Sequence, residues 1–523
     1  MIVDRFLRCI GRIGVCVLGI VVLVPSALAA SPNHAMSPLL RLGPQEAAVQ
    51  VPAGGSAPNY LLRTCQVIGF PGAVGQCYDP YQMRHAYQID SLINAGYDGR
   101  GHTIVIVDAF QSPNIVQQQN FYNTYYGLPS LNGLGNPADP TLGTFTQVAP
   151  DGLTPFVPGD ANMTGWAEEI SLDVLWAHAI APGANITLVL AKSNQDADIQ
   201  SALQYAVDHN LGEIISMSFG ENESCMDPDI LSAQHAAFAS ATLKGVTLFA
   251  SSADQGAALN TCDGNSWVKA VSSPASDPLV TGVGGTELRA AGFCFTAFGC
   301  DPTVTPGPGT WESEVVWNEG LPYGDFGDVF GFGTLSTGGG FSVLYDEPSY
   351  QQSTIHGGKQ RAVPDVAYNA AVLHGVLTYL NIPGLTSPAG AFFRFGGTSA
   401  GSPQWAAITA IANQKAGGRL GFLNAAIYQI GKVNKAYPAS FHDILDGTNS
   451  SLQFDVSNNP VDITGFSASV GWDATTGFGS PIDTSLVDYL IRYVSPGDGV
   501  AAVATTKPKP HPKPIVPGAM DPH

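Results

Sequence analysis

The sequence predicts an α/β protein built on a mainly parallel sheet with helices on both faces, and three observations carry that expectation. Short apolar runs rich in β-branched residues recur at Thr103–Val107, Ile186–Leu190, Glu213–Ser218, Thr247–Ala250 and Val280–Val283. Between them lie Ala167–Ile180, Asp198–His209 and Ile230–Lys244, whose apolar positions recur with a helical period of about 3.6 residues. The runs are apolar throughout rather than alternating, which is the pattern of strands covered on both sides. Ligands bind such sheets beyond the carboxyl ends of the strands. Asp108 stands there after the first run, and Asp254 after the segment TLFASSA.

The chain has 523 residues with 45% hydrophobic content, enough for one large core or two ordinary ones. Its 22 Lys+Arg stand against 42 Asp+Glu, for a formal net charge of −20. No basic cluster lies in the body of the chain, so nucleic acid is not an expected partner. Only 12% of residues are charged, which suits acid: protonation removes the carboxylate charge, and few cations remain to repel one another.

Residues 1–29 read as an export signal. Arg5, Arg8 and Arg12 precede the apolar run Ile13–Val24, and Ala27-Leu28-Ala29 has the small-x-small pattern of a cleavage site. The run is short for a membrane span; an uncleaved anchor is the alternative. The expectation is a secreted protein with no stable membrane anchor once the signal is removed. Cys9 and Cys16 leave with the signal, and six of the eight cysteines remain. Six allow 15 connectivities, and short loops favour Cys65 with Cys77, Cys225 with Cys262 and Cys294 with Cys300. No cysteine spacing resembles a zinc site, and disulfides suit an oxidising compartment.

Residues 30–59, rich in Pro, Gly and Ala, are expected to be a flexible segment, and 60–494 the folded domain. Residues 495–523, with TTKPKPHPKPIVPG, are expected to form an extended, disordered tail.

Ser399 opens an amphipathic stretch in FGGTSAGSPQWAAITAIANQ. A serine at a helix N-terminus gains from free N–H groups that favour developing negative charge, although Ser is also a common helix cap. A nucleophilic serine needs a base. The 11 histidines are scattered, and none lies in an H-G-T-H type segment. Glu169 and Asp173, four residues apart in GWAEEISLDVLWAHAIAPGANITLVLA, project from one helix face. A solvated acidic face is the bland alternative, but Ile170, Leu172, Val174 and Leu175 surround the pair.

E-x-x-x-D followed by A-P-G-A and an apolar strand resembles the sedolisin, or serine-carboxyl peptidase, family. So do GVGGTEL around Gly284, TGGGFS around Gly338, RAVPDVAYNA around Pro364 and GGTSAGSP at Ser399, in the family's order across about Tyr78 to Val494. The resemblance implies a subtilisin-like α/β fold, endo- or tripeptidyl-peptidase activity in acid, and a bound Ca2+ ion. It assigns Ser399 as nucleophile, Glu169 as base, Asp173 as its partner and Asp254 to the oxyanion hole. Glu168 adjoins the base, and the spacing to Asp173 favours Glu169. For calcium it implies Asp443 and Ile444, then Ser469, Gly471 and Asp473 in SASVGWD, an all-oxygen set suited to a hard cation. Without the resemblance these would be turn residues.

Three differences from the family pattern stand out. The segment between signal and catalytic domain is only about 30 to 45 residues, shorter than commonly folds alone. Ser218-Phe219-Gly220 lacks a Trp that some relatives have, and Asp108 stands where some relatives have Glu. The expected function is a secreted, acid-acting endopeptidase with protein or peptide substrates, working as a monomer. A tripeptidyl aminopeptidase is the alternative. An inactive binding protein on the same scaffold is less expected, since Ser399, Glu169, Asp173 and Asp254 are all present.

Overall fold

The structure is a computed structural model that describes residues 36–38, 41–45, 76–290, 309–319, 333–355, 359–386 and 390–510. The expected signal, Cys65, Cys294 and Cys300, and residues 511–523 lie outside the described residues. In chain order, the elements that frame the site begin with β1 (Ser37–Pro38), β2 (Arg41–Gln45) and β3 (Gln76–Tyr78). Next come β4 (Thr103–Ala109), β5 (Phe145–Val148), α1 (Ala161–Ile180) and β6 (Asn185–Ala191). Then follow α2 (Asp196–Asp208), β7 (Ile214–Met217), β8 (Phe219–Asn222), α3 (Pro228–Leu243) and β9 (Thr247–Ser251). The second half supplies β10 (Ser272–Ser273), β11 (Thr281–Ala290), β12 (Trp311–Val316), β13 (Val366–Asn369), β14 (His374–Leu380), β15 (Ala391–Gly396) and α4 (Gly401–Ala416).

The main sheet has eight strands in the order β12-β11-β9-β7-β4-β6-β5, with β13 also on β11. β4 pairs in parallel with β6 and β7, β9 with β7 and β11, β5 with β6, and β13 with β11; β12 joins β11 antiparallel. The expected mainly parallel sheet is therefore observed, and its central strands β4, β6, β7 and β9 are buried on both faces, as their continuous apolar runs require. A four-stranded sheet, β2-β15-β14-β3, lies beside it.

Two helices approach the carboxyl ends of the central strands. α1 starts at Asp160, whose carboxylate accepts from Met163 N at 2.9 Å, and every residue from Trp166 to Ile180 is buried. This rules out the solvated acidic face: Glu168, Glu169 and Asp173 lie inside the protein. α4 follows a short 3-10 turn, Thr398–Ala400, entered through Gly397 at φ 98°, a left-handed conformation that favours glycine. α1 and α4 pack on one another and on β4, which brings their functional segments to the same end of the sheet.

Cys225 and Cys262 form the expected disulfide, and Cys77 is also disulfide-bonded. Two other expectations are corrected. Within the segment expected to be flexible, β1 and β2 are paired strands, on β8 and β15 respectively. Within the expected tail, Pro496–Thr505 is a helix capped by Ser495, packed on α3. The chain beyond it is tied down by His235, whose ring lies 3.1 Å from Thr506 O, and by Lys509 N, which donates to Leu344 O at 2.7 Å. Ala502, 3% exposed, is buried on this helix and Val503 is half-buried, whereas Val500 is exposed; the Pro/Lys composition of the following residues concealed this small buried side.

Candidate active site

The site forms where strands of the main sheet end. Asp108 is near the end of β4, Ser218 directly follows β7, and Asp254 follows β9 through a tight turn in which Ala253 has φ 103°. That backbone value is uncommon for a residue with a Cβ, and it turns Asp254 toward the start of α4. Asp254 Oδ1 accepts from both Thr398 N and Thr398 Oγ1 at 2.8 Å. Ala253 N donates in turn to Thr398 Oγ1 at 3.2 Å. Thr398 thus fixes Asp254 beside Ser399, a role the sequence reading did not assign.

Ser399 donates its hydroxyl to Ser218 O at 3.1 Å, and Ser218 Oγ donates to Ser399 O at 3.4 Å. α1 carries Glu169 and Asp173 to the same place. Glu169, Asp173, Asp108, Asp254 and Ser399 each have 0% exposure. The oxygens of Glu169, Asp173 and Asp108 have no hydrogen bond of ordinary geometry among the described residues. Burial pushes the Glu169 carboxyl well above its usual range, Asp173 and Asp108 push it further, the nearby Ser399 hydroxyl opposes them, and Asp254 adds a smaller upward push. Burial also raises Asp173, against a lowering by Ser218. Asp108 is raised by burial and then by Asp173.

Like charges held out of water cannot all ionise together. The cluster therefore holds protons that isolated carboxyls would release, and Glu169 is the member acted on by Ser399. Glu168, raised by burial to about 7, shows no such coupling to the serine. The geometry joins Ser399, Glu169, Asp173 and Asp254, and adds Asp108, Ser218 and Thr398. Asp108 was legible as a strand-end carboxylate; the Ser218 carbonyl and the Thr398 contact had no sequence signal of their own. Two buried histidines have other partners: His178, lowered to about 4 by burial, lies 2.8 Å from Pro129 O, and His235 lies 2.7 Å from Asp277.

At the second expected site, Gly471 N donates to Asp443 Oδ1 at 3.1 Å and to Oδ2 at 3.2 Å. Tyr437 OH donates to Asp443 Oδ1 at 2.8 Å, and both Asp443 and Asp473 raise the Tyr437 hydroxyl after burial does. The two carboxylates therefore converge. Asp473 Oδ1 accepts from Thr475 N at 2.8 Å and Thr476 N at 2.9 Å, and Oδ2 from Ser469 N at 3.1 Å. Among the described residues no backbone N–H is directed at the carbonyl oxygens of Ile444, Ser469 or Gly471. Nor, among them, do three or more His, Cys, Asp or Glu side chains gather to hold a metal ion. A cation here would take two carboxylates and main-chain carbonyls, a donor chemistry that fits Ca2+.

Comparison with known proteins adds three findings. The model of the Subtilase family matches residues 159–439, a span that holds Glu169, Asp173, Asp254 and Ser399. The chain is 32% identical over 435 residues to kumamolisin of Bacillus sp. (strain MN-32), covering 81% of this chain and 65% of that protein. It is 31% identical to sedolisin of Pseudomonas sp. (strain 101), over 60% of this chain and 47% of that protein. Tripeptidyl-peptidase 1 of Rattus norvegicus is 27% identical, over 62% of this chain and 52% of that protein. The chain thus spans about half to two thirds of the length of these relatives. A solved structure of Pseudomonas sedolisin, a serine-carboxyl proteinase complexed with pseudo-iodotyrostatin, shares the fold. Its TM-score is 0.60 at 24% identity, with 80% of this chain and all of that one covered. Among the described residues no helix is long and apolar enough to cross a membrane.

Proposed function

The chain belongs to the subtilase family, among its sedolisin-like serine-carboxyl peptidases, and from that premise we propose that it is a secreted endopeptidase that cleaves peptide bonds in acid. Ser399 is the nucleophile, Glu169 the base and Asp173 the partner that shares its proton. The observation that carries this is the placement of the Ser399 hydroxyl beside a buried carboxylate cluster, with no histidine among the described residues acting on Glu169.

The hydroxyl proton, given to Ser218 O at rest, passes to Glu169 as Ser399 Oγ attacks the scissile carbonyl. Glu169 then protonates the leaving amine, and water hydrolyses the acyl-enzyme by the reverse transfer. A base works best with a pKa near the operating pH, and burial with like-charged neighbours moves Glu169 upward from the ordinary carboxylate range. Imidazole would already be protonated in acid. The Ser399 N–H and Asp254 face the developing oxyanion, and Asp254 donates there only when it carries its proton.

A Ca2+ ion held by Asp443 and Asp473 with the carbonyls of Ile444, Ser469 and Gly471 would cross-link two loops of the native state. The 1–29 signal supports export. The alternative, a tripeptidyl aminopeptidase, rests on the likeness to tripeptidyl-peptidase 1. Digestion of an acid-denatured protein, with sequencing of the fragments, tests the endopeptidase. Cleavage of a peptide with a blocked N-terminus supports it; release of tripeptides only from free N-termini supports the alternative; no cleavage of either overturns both.

A further inference from the structure

Residues 496–509 form a strap on the domain, and a single imidazole stands at the joint. The helix Pro496–Thr505 rests on α3, where Gly499 comes so close that an added Cβ would stand 2.9 Å from Thr242 Cγ2. Ala502 and Thr506 are buried. Lys509 N donates to Leu344 O at 2.7 Å, and Lys509 Nζ lies 2.6 Å from Asp346 Oδ1. His235, on α3, is buried between strap and domain. Its Nδ1 lies 2.7 Å from Asp277 Oδ2, and its Nε2 lies 3.1 Å from Thr506 O.

Both partners of the ring are acceptors. Thr506 O is a carbonyl, and Asp277 already accepts from Leu279 N at 2.8 Å and from Tyr345 OH at 3.0 Å. A neutral imidazole has one N–H and one bare lone pair, whereas the imidazolium donates from both nitrogens. With a single proton the ring serves Asp277, where the bond is charge-assisted, and turns its lone pair on Thr506 O. With two protons it holds both. The titratable and charged groups that face it are Asp277 from the loop after β10, Tyr345 from the strand Gly340–Asp346 with its ring 5.8 Å away, and Lys507 from the strap. Glu223 stands behind Tyr345. Burial opposes charge on the imidazole, but Asp277 and the Thr506 carbonyl outweigh burial and Lys507 and raise the ring above its ordinary value. A cavity of about 190 Å³, lined by Pro278, Tyr345, Asp346 and Ala504–Lys507, adjoins the joint, so the ring can exchange its proton without unfolding of the domain.

We propose that His235 is a proton-operated catch for residues 496–509, closed in acid and released as the pH rises toward neutrality. The docked strap binds the second proton more tightly than the released one. Its contact is therefore fully made below the pKa of the released ring and lost as pH rises through that of the docked ring, a window at and above about 6.5. One proton is exchanged, so the opening constant rises by at most about tenfold per pH unit inside that window. Release uncovers the side of α3 beneath the strap and frees Leu344 and Asp346 from Lys509. The strand that carries them begins just past Gly338, whose N–H donates to Ala253 O at 2.7 Å beside Asp254. Acid thus gives the fully assembled form. No residue of the catch belongs to the candidate active site, so the proposal stands or falls apart from the peptidase reading.

The test is hydrogen exchange read by mass spectrometry on the full chain carrying Ser399→Ala, with observed rates corrected for the intrinsic effect of pH. Protection of residues 500–509 is expected to fall by about tenfold or more between about pH 5 and about pH 8, while α1 stays protected. His235→Gln, whose side chain does not titrate, should lose this fall. Asp277→Asn separates the catch from mere packing. Its amide can donate to Nδ1, which leaves the one proton of a neutral ring on Nε2 for Thr506 O, so the strap should stay protected at the higher pH. Equal protection of the strap at both pH values in the parent would overturn the catch. So would an undiminished fall in His235→Gln or in Asp277→Asn. None of these results bears on the peptidase reading, which peptide cleavage by the chain with Ser399 intact decides.

Discussion

Two fully buried groups of carboxylates in this molecule are built on opposite principles. Asp365, in RAVPDVAYNA, is held by Arg361 through Nη1 to Oδ1 at 2.7 Å and Nη2 to Oδ2 at 2.6 Å. It also accepts from Tyr428 OH at 3.0 Å and Gly282 N at 2.8 Å. Glu169, Asp173 and Asp108 are equally buried, yet their oxygens have no such donors among the described residues. The first group joins three segments of the chain, and its charge is neutralised where it sits. The second keeps carboxyls desolvated and mutually repelling, which costs stability but leaves a proton-accepting oxygen beside Ser399. A buried polar group left unpaired in a folded protein needs an explanation, and the proposed proton transfer from Ser399 supplies one.

The largest expected effect separates the groups outright. Glu169→Gln and Ser399→Ala should each lower turnover by about 10⁴-fold or more without lowering the melting temperature, and the double variant should be little worse than either. Multiplicative losses in the double variant, measured as kcat/KM on one short peptide, would show that the two do not act as a unit. At the Asp365 group the effect should move to stability. Arg361→Met leaves a buried charge without its partner and should cost about 3–5 kcal/mol, read from denaturant midpoints. A loss of activity without loss of stability there would erase the contrast.

Asp254 tests a carboxyl that is oriented rather than orphaned. Asp254→Asn should lower peak activity by about 10²-fold and extend the alkaline limb of the pH profile, because the amide is a neutral donor at every pH. Full activity in this variant would remove Asp254 from the oxyanion hole. Calcium tests a third way of holding carboxylates. Added Ca2+ at about a hundred times its Kd should stabilise by about 2.7 kcal/mol, seen as a rise in melting temperature that Asp473→Asn abolishes. A melting temperature indifferent to chelation would leave Asp443 and Asp473 as turn residues.

The smallest effect depends on pH. Asp108 is raised first by burial and then by Asp173, so the native state binds its proton more tightly than the unfolded chain. Its penalty is absent below the ordinary carboxylate pKa of about 3.9 and grows as pH rises above it. Asp108→Asn should therefore leave stability unchanged in strong acid and raise it near neutrality by about 1–3 kcal/mol. Equal shifts at both pH values would show that ionisation is not the cost.

The sheet was legible because continuous apolar runs alternating with helical periods have one economical packing, and the structure places strands at each of the five runs. The Glu169 and Asp173 pair was legible because residues four apart must share a helix face. The solvated alternative could be dismissed only once α1 was seen buried on all sides. Thr398 was not legible, since its bond to Asp254 closes a gap of 144 residues. Nor were β1 and β2, whose composition, with Pro38, Gly43 and Pro44, reads as loop; they are strands because β8 and β15 offer them open edges.

By itself, then, the sequence determined what local periodicity and residue chemistry can encode: the sheet class, the two acidic side chains on one face, and the serine at a helix start. Tertiary structure alone decided which carboxyls lose water together, which of them is acted on by the serine, and which strand edges β1 and β2 pair with. Desolvation and strand-edge pairing depend on neighbours distant in sequence, and no local pattern records who those neighbours will be.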